Sequence, residues 1–301
     1  GVRALFLHGS PKPDPKPGQK HFSEGPMPVD EVARVRKTTL SSDDALVTMG
    51  LAILGPDFGT WEVCDADFRL ARDLDMVASM HVTGLKKTPG GFERLDSEGL
   101  LGENFNIVHG NTLSDGELKM LTDRGVTFTL TPEVEMQMSF GRPLTGRLRR
   151  LGAPVTLGSD IESSMTGDMF TVARMALQAQ RFIDSLDAMS ATGKGLDKIS
   201  ITCAQALRWI TIDAARMAGL ADRIGSLTPG KQADIVLLSA SDPNIFPVVD
   251  PVASVLMQAG VANVDTVIVA GEIRKEKGKL RADNLTKIYR ELAASSERIV
   301  G

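Results

Sequence analysis

Three apolar runs in the middle of the chain each end beside a side chain able to bind a metal or move a proton. Met76 to Met80 leads into His81, Phe105 to Val108 into His109, and Pro154 to Ser159 into Asp160. Short apolar runs bounded by turn residues are the pattern of buried strands, as in a parallel sheet. Between them, Ser114-x-x-Glu117 is a capping box ahead of Leu118, Met120 and Leu121. Arg124-Gly125 supplies the glycine that closes that helix. Val126 to Leu130 is β-branched and aromatic and predicts a further strand, and a helix over about 143–151 stops at Gly152. The order over 105–160 is therefore β-α-β-α-β, which predicts a parallel sheet.

Extending the pattern outward adds strands near 2–7 and 46–54 and helices over 29–37 and 68–74. Beyond Asp160, a long helix is expected over 168–189, and another from Thr202, a good N-cap residue. The intervals His81 to His109 and His109 to Asp160 are 28 and 51 residues. One βα unit of a (β/α)8 barrel takes roughly 30 residues, so these fit one unit and then two. Active sites of such barrels lie at the C-terminal strand ends, where two imidazoles and a carboxylate would converge. Nitrogen and oxygen donors of this kind suit zinc or a similar divalent ion.

From Ile224 the periodicity changes to short strands and turns. Pro229-Gly230 marks a turn, Ala233 to Leu238 a strand, and Val264 to Ile273 a hairpin through Ala270-Gly271. An amphipathic helix closes the chain over 284–300. The division expected is a barrel portion over 1–221, a small β-sandwich portion over 222–283 and a terminal helix over 284–301. The barrel portion contains six strand patterns, whereas a closed barrel takes eight. The expectation is an α/β barrel that lacks about two N-terminal strands in this chain. Two loop-rich stretches, 10–28 and 84–102, are long enough to be lids or binding loops.

The 301 residues carry a net charge of −4, which argues against nucleic acid as a partner. No apolar run reaches the roughly 18 residues of a membrane span, so no membrane partner is expected. The two cysteines, Cys64 and Cys203, form no motif and suit small buried residues in a reducing, cytoplasmic setting. A small-molecule substrate is expected, with homo-oligomerisation open.

Three segments carry a resemblance. They are Val108-His109-Gly110-Asn111-Thr112-Leu113-Ser114, Leu157-Gly158-Ser159-Asp160, and Ile224-Gly225-Ser226-Leu227-Thr228-Pro229-Gly230-Lys231-Gln232-Ala233-Asp234-Ile235-Val236. The chain resembles the amidohydrolase superfamily, in its cytosine-deaminase-like and chlorohydrolase-like branch. The resemblance implies a hydrolase in which metal-activated water attacks a C–N or C–halogen bond of a small cyclic or amide-like compound. It implies zinc or iron as cofactor. His81 matches the fifth-strand metal ligand, and His109 the sixth-strand histidine that binds a second metal or holds the attacking water. Asp160 matches the eighth-strand aspartate, a ligand and proton shuttle. Glu133 and Trp61 are the candidate substrate contacts. Two departures stand out. The family's His-x-His pair is missing, since the only histidines are His8, His21, His81 and His109. Gly84 stands where deaminases of the branch carry a glutamate. Two other readings stay open: an inactive barrel remnant or binding protein with a vestigial metal site, and a metal-free enzyme using His109 and Asp160 as acid and base.

Overall fold

The computed structural model describes residues 1–9 and 15–300. Six parallel strands pair in strict sequence order: β1 (Ala4–His8), β2 (Val47–Ala52), β3 (Ala78–Val82), β4 (Phe105–His109), β5 (Thr127–Leu130) and β6 (Val155–Leu157). Each step forward in sequence is one step sideways in the sheet, which is how a (β/α) barrel is wound. All six strands expected from the apolar runs are present. The sheet is open among the described residues, with β1 and β6 as its edges. A closed barrel has no edge; here β1 has no fully buried residue and Phe6 is 51% exposed.

Helices follow the strands. They are α1 (Val29–Thr38), the single turn α2 (Gly55–Phe58), α3 (Trp61–Asp73), α4 (Gly91–Ser97), α5 (Asp115–Asp123), α6 (Pro132–Gln137) and α7 (Thr145–Arg150). Then come the long α8 (Met169–Thr192), α9 (Cys203–Trp209) and α10 (Ile212–Met217). The capping box at Ser114 and Glu117 forms at the start of α5, and Thr202 caps α9 with Gln205 reaching back. Gly152 takes φ +70 just past α7, the left-handed conformation that ends a helix at least cost for glycine. Of the loop over 10–28, residues 10–14 lie outside the described residues; the rest includes one short 3-10 turn, Phe22–Glu24.

The main core lies between the sheet and these helices. One strand face contributes Ala78, Met80, Val82, Phe105, Ile107, Phe128, Leu130, Val155 and Leu157, all buried. Phe68 of α3 stacks on Phe105 with ring centroids 4.3 Å apart. The opposite strand face is polar yet buried, and its groups satisfy one another. Asn106 donates to the Ser79 hydroxyl at 2.9 Å and accepts from Thr127 and Thr129 at 3.1 Å each. The Thr156 hydroxyl has two acceptors for its one hydrogen, the Thr129 hydroxyl at 2.7 Å and the Phe128 carbonyl at 3.1 Å. A buried polar ladder is tolerated only when satisfied in this way.

The C-terminal part forms a second, antiparallel sheet: β7 (Ile235–Leu238), β8 (Val264–Val269), β9 (Glu272–Glu276) and β10 (Lys279–Leu280). Ala270 and Gly271, at φ +51 and +83, make the tight turn between β8 and β9. Helix α11 (Pro251–Met257) lies within the same stretch of chain but packs on α8 and α9, with Leu256 in the main core. At the other end of the chain, Arg3 grips this small sheet's neighbourhood through Asp234 (2.5 Å) and Gln232. Helix α12 (Leu285–Val300) closes the described chain and has no buried residue. No described helix is long and apolar enough to cross a membrane.

Candidate functional site

His81, His109 and Asp160 all lie at the C-terminal rim of the parallel sheet. His81 is the fourth residue of β3, on the face of Ser79, and is exposed. His109 ends β4. Strict alternation would put its ring on the core face with Phe105 and Ile107. Instead its backbone sits at φ +68, and Gly110 follows at +81. That left-handed turn swings the ring to the opposite face, toward His81 and Thr131. Asp160 lies three residues past β6 and is likewise left-handed, at φ +61. Such backbone is uncommon for residues with a side chain and clusters at functional sites.

The rings of His81 and His109 are 5.3 Å apart, centroid to centroid. His109 Nε2 lies 3.8 Å from Asp160 Oδ2, too far for a hydrogen bond. On its other side, His109 Nδ1 is 3.0 Å from the Thr131 hydroxyl and 3.5 Å from Glu135 Oε1. Phe140 meets the ring edge-on at 5.1 Å. His109 is buried, while the Asp160 side chain is 19% exposed, so the pair faces outward through the carboxylate.

The donor types at this rim, two imidazoles and a carboxylate, have the chemistry of a zinc or iron site. The geometry gives two adjoining pairs, His81 with His109 and His109 with Asp160. Among the described residues no group of three His, Cys, Asp or Glu side chains is already arranged around one ion position.

The two expected substrate contacts have protein partners of their own. Trp61 begins α3, half-buried against the core, with the Arg94 guanidinium of α4 3.6 Å above its ring. Glu133 accepts from the Thr166 hydroxyl at 3.2 Å and so ties α6 to the loop after β6. The glutamate that meets His109 is Glu135, two residues on. The helical turn begun at Pro132 explains this, because residues i and i+2 on a helix face nearly opposite ways, about half a turn apart. No sequence signal singled out Glu135: the capping-box position three residues after Thr131 is Val134, and Glu135 lies one residue further on. Here it accepts from the Thr131 N–H at 2.8 Å.

A second buried carboxylate, Asp57, shapes the loop beside this rim. It is 4% exposed, in the turn α2 after β2. Its Oδ2 accepts from the N–H groups of Thr83 (2.6 Å), Gly84 (2.7 Å) and Leu85 (3.2 Å), and Oδ1 from Lys86 (3.2 Å). One carboxylate thus gathers the loop that leaves β3 directly after His81. Gly84 within that loop has φ +99, and a Cβ there would lie 2.9 Å from Thr112 Cγ2. A glutamate at this position meets both backbone strain and a steric clash, so its absence agrees with the local structure. A cleft of about 320 Å³ opens nearby, lined by Asp57, Val82, Lys86, Phe92 and Glu117 among others. It lies on the Val82 side of β3 and includes none of His81, His109 and Asp160.

A sequentially wound parallel sheet with histidines and an aspartate on its C-terminal rim defines a barrel enzyme type of fold and site. The particular family follows from comparison: the Amidohydrolase family model matches residues 69–274, and the chain belongs to that family. An 8-oxoguanine deaminase from Pseudomonas aeruginosa is 29% identical, the alignment covering 100% of this chain and 68% of that protein. A 5'-deoxyadenosine deaminase from Methanosphaera stadtmanae is 29% identical over 64% of this chain and 43% of its own length. Among solved structures, a zinc-bound adenosine deaminase from Xanthomonas campestris superposes with a TM-score of 0.75 at 25% identity. That match covers 90% of this chain and 60% of the other. A zinc complex of atrazine chlorohydrolase from Arthrobacter aurescens shares the fold, with a TM-score of 0.74 at 20% identity over 88% and 59% of the two chains. This chain therefore spans between 43% and 68% of the length of these proteins.

Proposed function

We propose that the chain carries the proton-transfer part of a hydrolase that cleaves a C–N bond, or a C–halogen bond, in a small cyclic or amide-like substrate. The observation that carries this reading is the approach of His109 Nε2 and Asp160 Oδ2 to 3.8 Å on the strand-end rim. Two acceptors at that spacing suit one bridging water. With hydrogen bonds of about 2.8 Å to each, the angle at the water oxygen is about 85°, tolerable for its two O–H bonds. The water's lone pair then faces out of the pair, toward a substrate carbon. Asp160 takes a proton from the attacking water and returns it to the leaving nitrogen, as general base and then general acid. His109 orients the water and Glu135 orients His109.

A divalent metal, zinc or iron, held by His81, His109 and Asp160 would lower the pKa of a water and polarise the scissile bond. The relatives' names make aminated purines the first substrates to try. Release of ammonia from 8-oxoguanine and 5'-deoxyadenosine, measured beside elemental analysis for zinc and iron, tests the proposal. Turnover that is lost in Asp160→Asn supports it. Turnover that Asp160→Asn retains overturns the assignment of the proton shuttle.

A second reading is a binding protein with a vestigial site. It is favoured by Gly84 in place of the deaminase glutamate and by the lack of a formed three-donor group among the described residues. Binding of a purine without turnover, in protein free of metal and in protein supplied with zinc, would favour it. We further propose that residues 1–221 hold this chemistry and that the small sheet portion over 222–283 and the helix over 284–301 lie outside it.

A further inference from the structure

We infer that the cleft between the end of α7 and the helices α9 and α10 binds a phosphate group, carried by free phosphate or by a phosphate monoester. The cleft lies at the N-terminal end of β6, where Pro154 and Val155 form part of its wall. It is therefore at the opposite end of that strand from Asp160. Its volume is about 250 Å³, and it shares no lining residue with the cleft beside Asp57. Three arginines line it, Arg149, Arg208 and Arg216, against a single acidic side chain, Asp213.

The charges do not balance within this cleft. Arg208 and Arg216 each donate to the same oxygen, Asp213 Oδ1, at 3.2 and 3.1 Å. Asp213 is buried, whereas both arginine side chains are half exposed. One carboxylate thus draws two guanidinium groups together and neutralises the charge of one. A guanidinium carries several N–H donors, so both keep some for another acceptor. Asp213 is taken up by these two, which leaves Arg149 without a counter-charge on the lining. The Nε of Arg149 is buried and has no hydrogen-bond partner. A buried donor left unpaired is rare and costs free energy, and a ligand oxygen in the cleft would satisfy it. Gln205 adds a neutral donor. Its side-chain oxygen accepts from the Thr202 N–H at 2.9 Å, which leaves its NH2 for the cleft.

Three arginines less one carboxylate leave an excess of two positive charges. Pro154, Val155 and Trp209 supply apolar walls, and walls of low dielectric focus the field of charges that line a cleft. A phosphate dianion matches both the excess charge and the forked guanidinium, which pairs its N–H groups with two oxygens at once. A carboxylate offers one negative charge and leaves the other uncompensated. This site stands on its own residues and is independent of the hydrolase reading above.

The test is titration calorimetry of the full chain with inorganic phosphate, beside ribose 5-phosphate and acetate. The expected result is saturable binding of one phosphate per chain that weakens as sodium chloride is raised. Arg149→Gln and Arg216→Gln should each weaken it about 10-fold or more, the loss of a charge-assisted donor. Arg34→Gln, on α1 and paired with Glu31, should leave it unchanged. Ribose 5-phosphate held more tightly than phosphate identifies a monoester as the ligand; equal or weaker binding identifies free phosphate. No saturable binding by the folded wild type overturns the inference, as does binding that survives both cleft substitutions. Acetate held as tightly as phosphate overturns the choice of phosphate. Binding lost in His109→Asn but kept in Arg149→Gln places the anion at the C-terminal rim and also overturns it. Arg216 is half exposed, so Arg216→Gln decides the matter where Arg149→Gln does not fold.

Discussion

Replacing Asp57 by alanine removes four hydrogen bonds at once from the loop that follows His81. Two of them are short, to Thr83 at 2.6 Å and Gly84 at 2.7 Å, and two are long, to Leu85 and Lys86 at 3.2 Å. A hydrogen bond to a charged group contributes about 1.5–3 kcal/mol. The loop is exposed at Gly84, Leu85 and Lys86, so water can satisfy part of what is lost, which favours the low end for each bond. Counting the two short bonds fully and the long ones little, Asp57→Ala should cost about 3–5 kcal/mol. Asp57→Asn should cost about 2–3 kcal/mol, because its oxygen keeps the Oδ2 partners while its amide faces the Lys86 N–H, donor against donor. Against a total stability of about 5–15 kcal/mol these are large effects. Urea unfolding followed by tryptophan fluorescence reads them directly, since Trp61 starts the helix next to α2 and Trp209 lies in the main core. The ordering alanine worse than asparagine worse than wild type is part of the prediction. A loss below about 1 kcal/mol for alanine would show that water, not Asp57, satisfies those amides.

Asp160→Asn should abolish hydrolysis, by at least about 100-fold in kcat, with an unchanged urea midpoint. Gly84→Glu should lower stability and bring no gain in turnover, because φ +99 strains a residue with a side chain and a Cβ there meets Thr112 Cγ2 at 2.9 Å; a variant as stable as wild type would contradict the clash. Burial pushes the Cys64 thiol up to about 12, with Asp67 adding to the effect. Its thiolate fraction at pH 8 is then about 10⁻⁴, so in the native protein a thiol reagent should label Cys203 and spare Cys64 until unfolding. The folded pKa exceeds the unfolded one, so the unfolded state releases the proton first as pH rises. Stability should therefore fall between about pH 9 and 12, and Cys64→Ala should flatten that slope in pH-dependent unfolding. Prolonged chelation followed by zinc or iron addition should remove and restore turnover if His81, His109 and Asp160 hold a metal. Activity indifferent to chelation would favour His109 and Asp160 working as acid and base alone.

The strand pattern was written in the sequence. Apolar runs, β-branched residues and glycine stops placed all six parallel strands and most helices, because those signals are local and repeat with the period of each element. They also placed His81, His109 and Asp160 at strand ends, and the hairpin at Ala270-Gly271. Only the tertiary structure decided which way those side chains face. Alternation puts His109 on the core face, and a single left-handed φ reverses it. It also decided that Glu135 rather than Glu133 meets the histidine, that Asp57 holds a loop 26 to 29 residues away, and that Arg3 binds Asp234 across 231 residues. The partner on the Trp61 ring is likewise a tertiary matter, the Arg94 guanidinium of α4. Each of these depends on where two distant segments come to rest, and no local propensity encodes that distance. The chain by itself determined the elements and the chemistry available at their ends; packing determined which of those groups face one another.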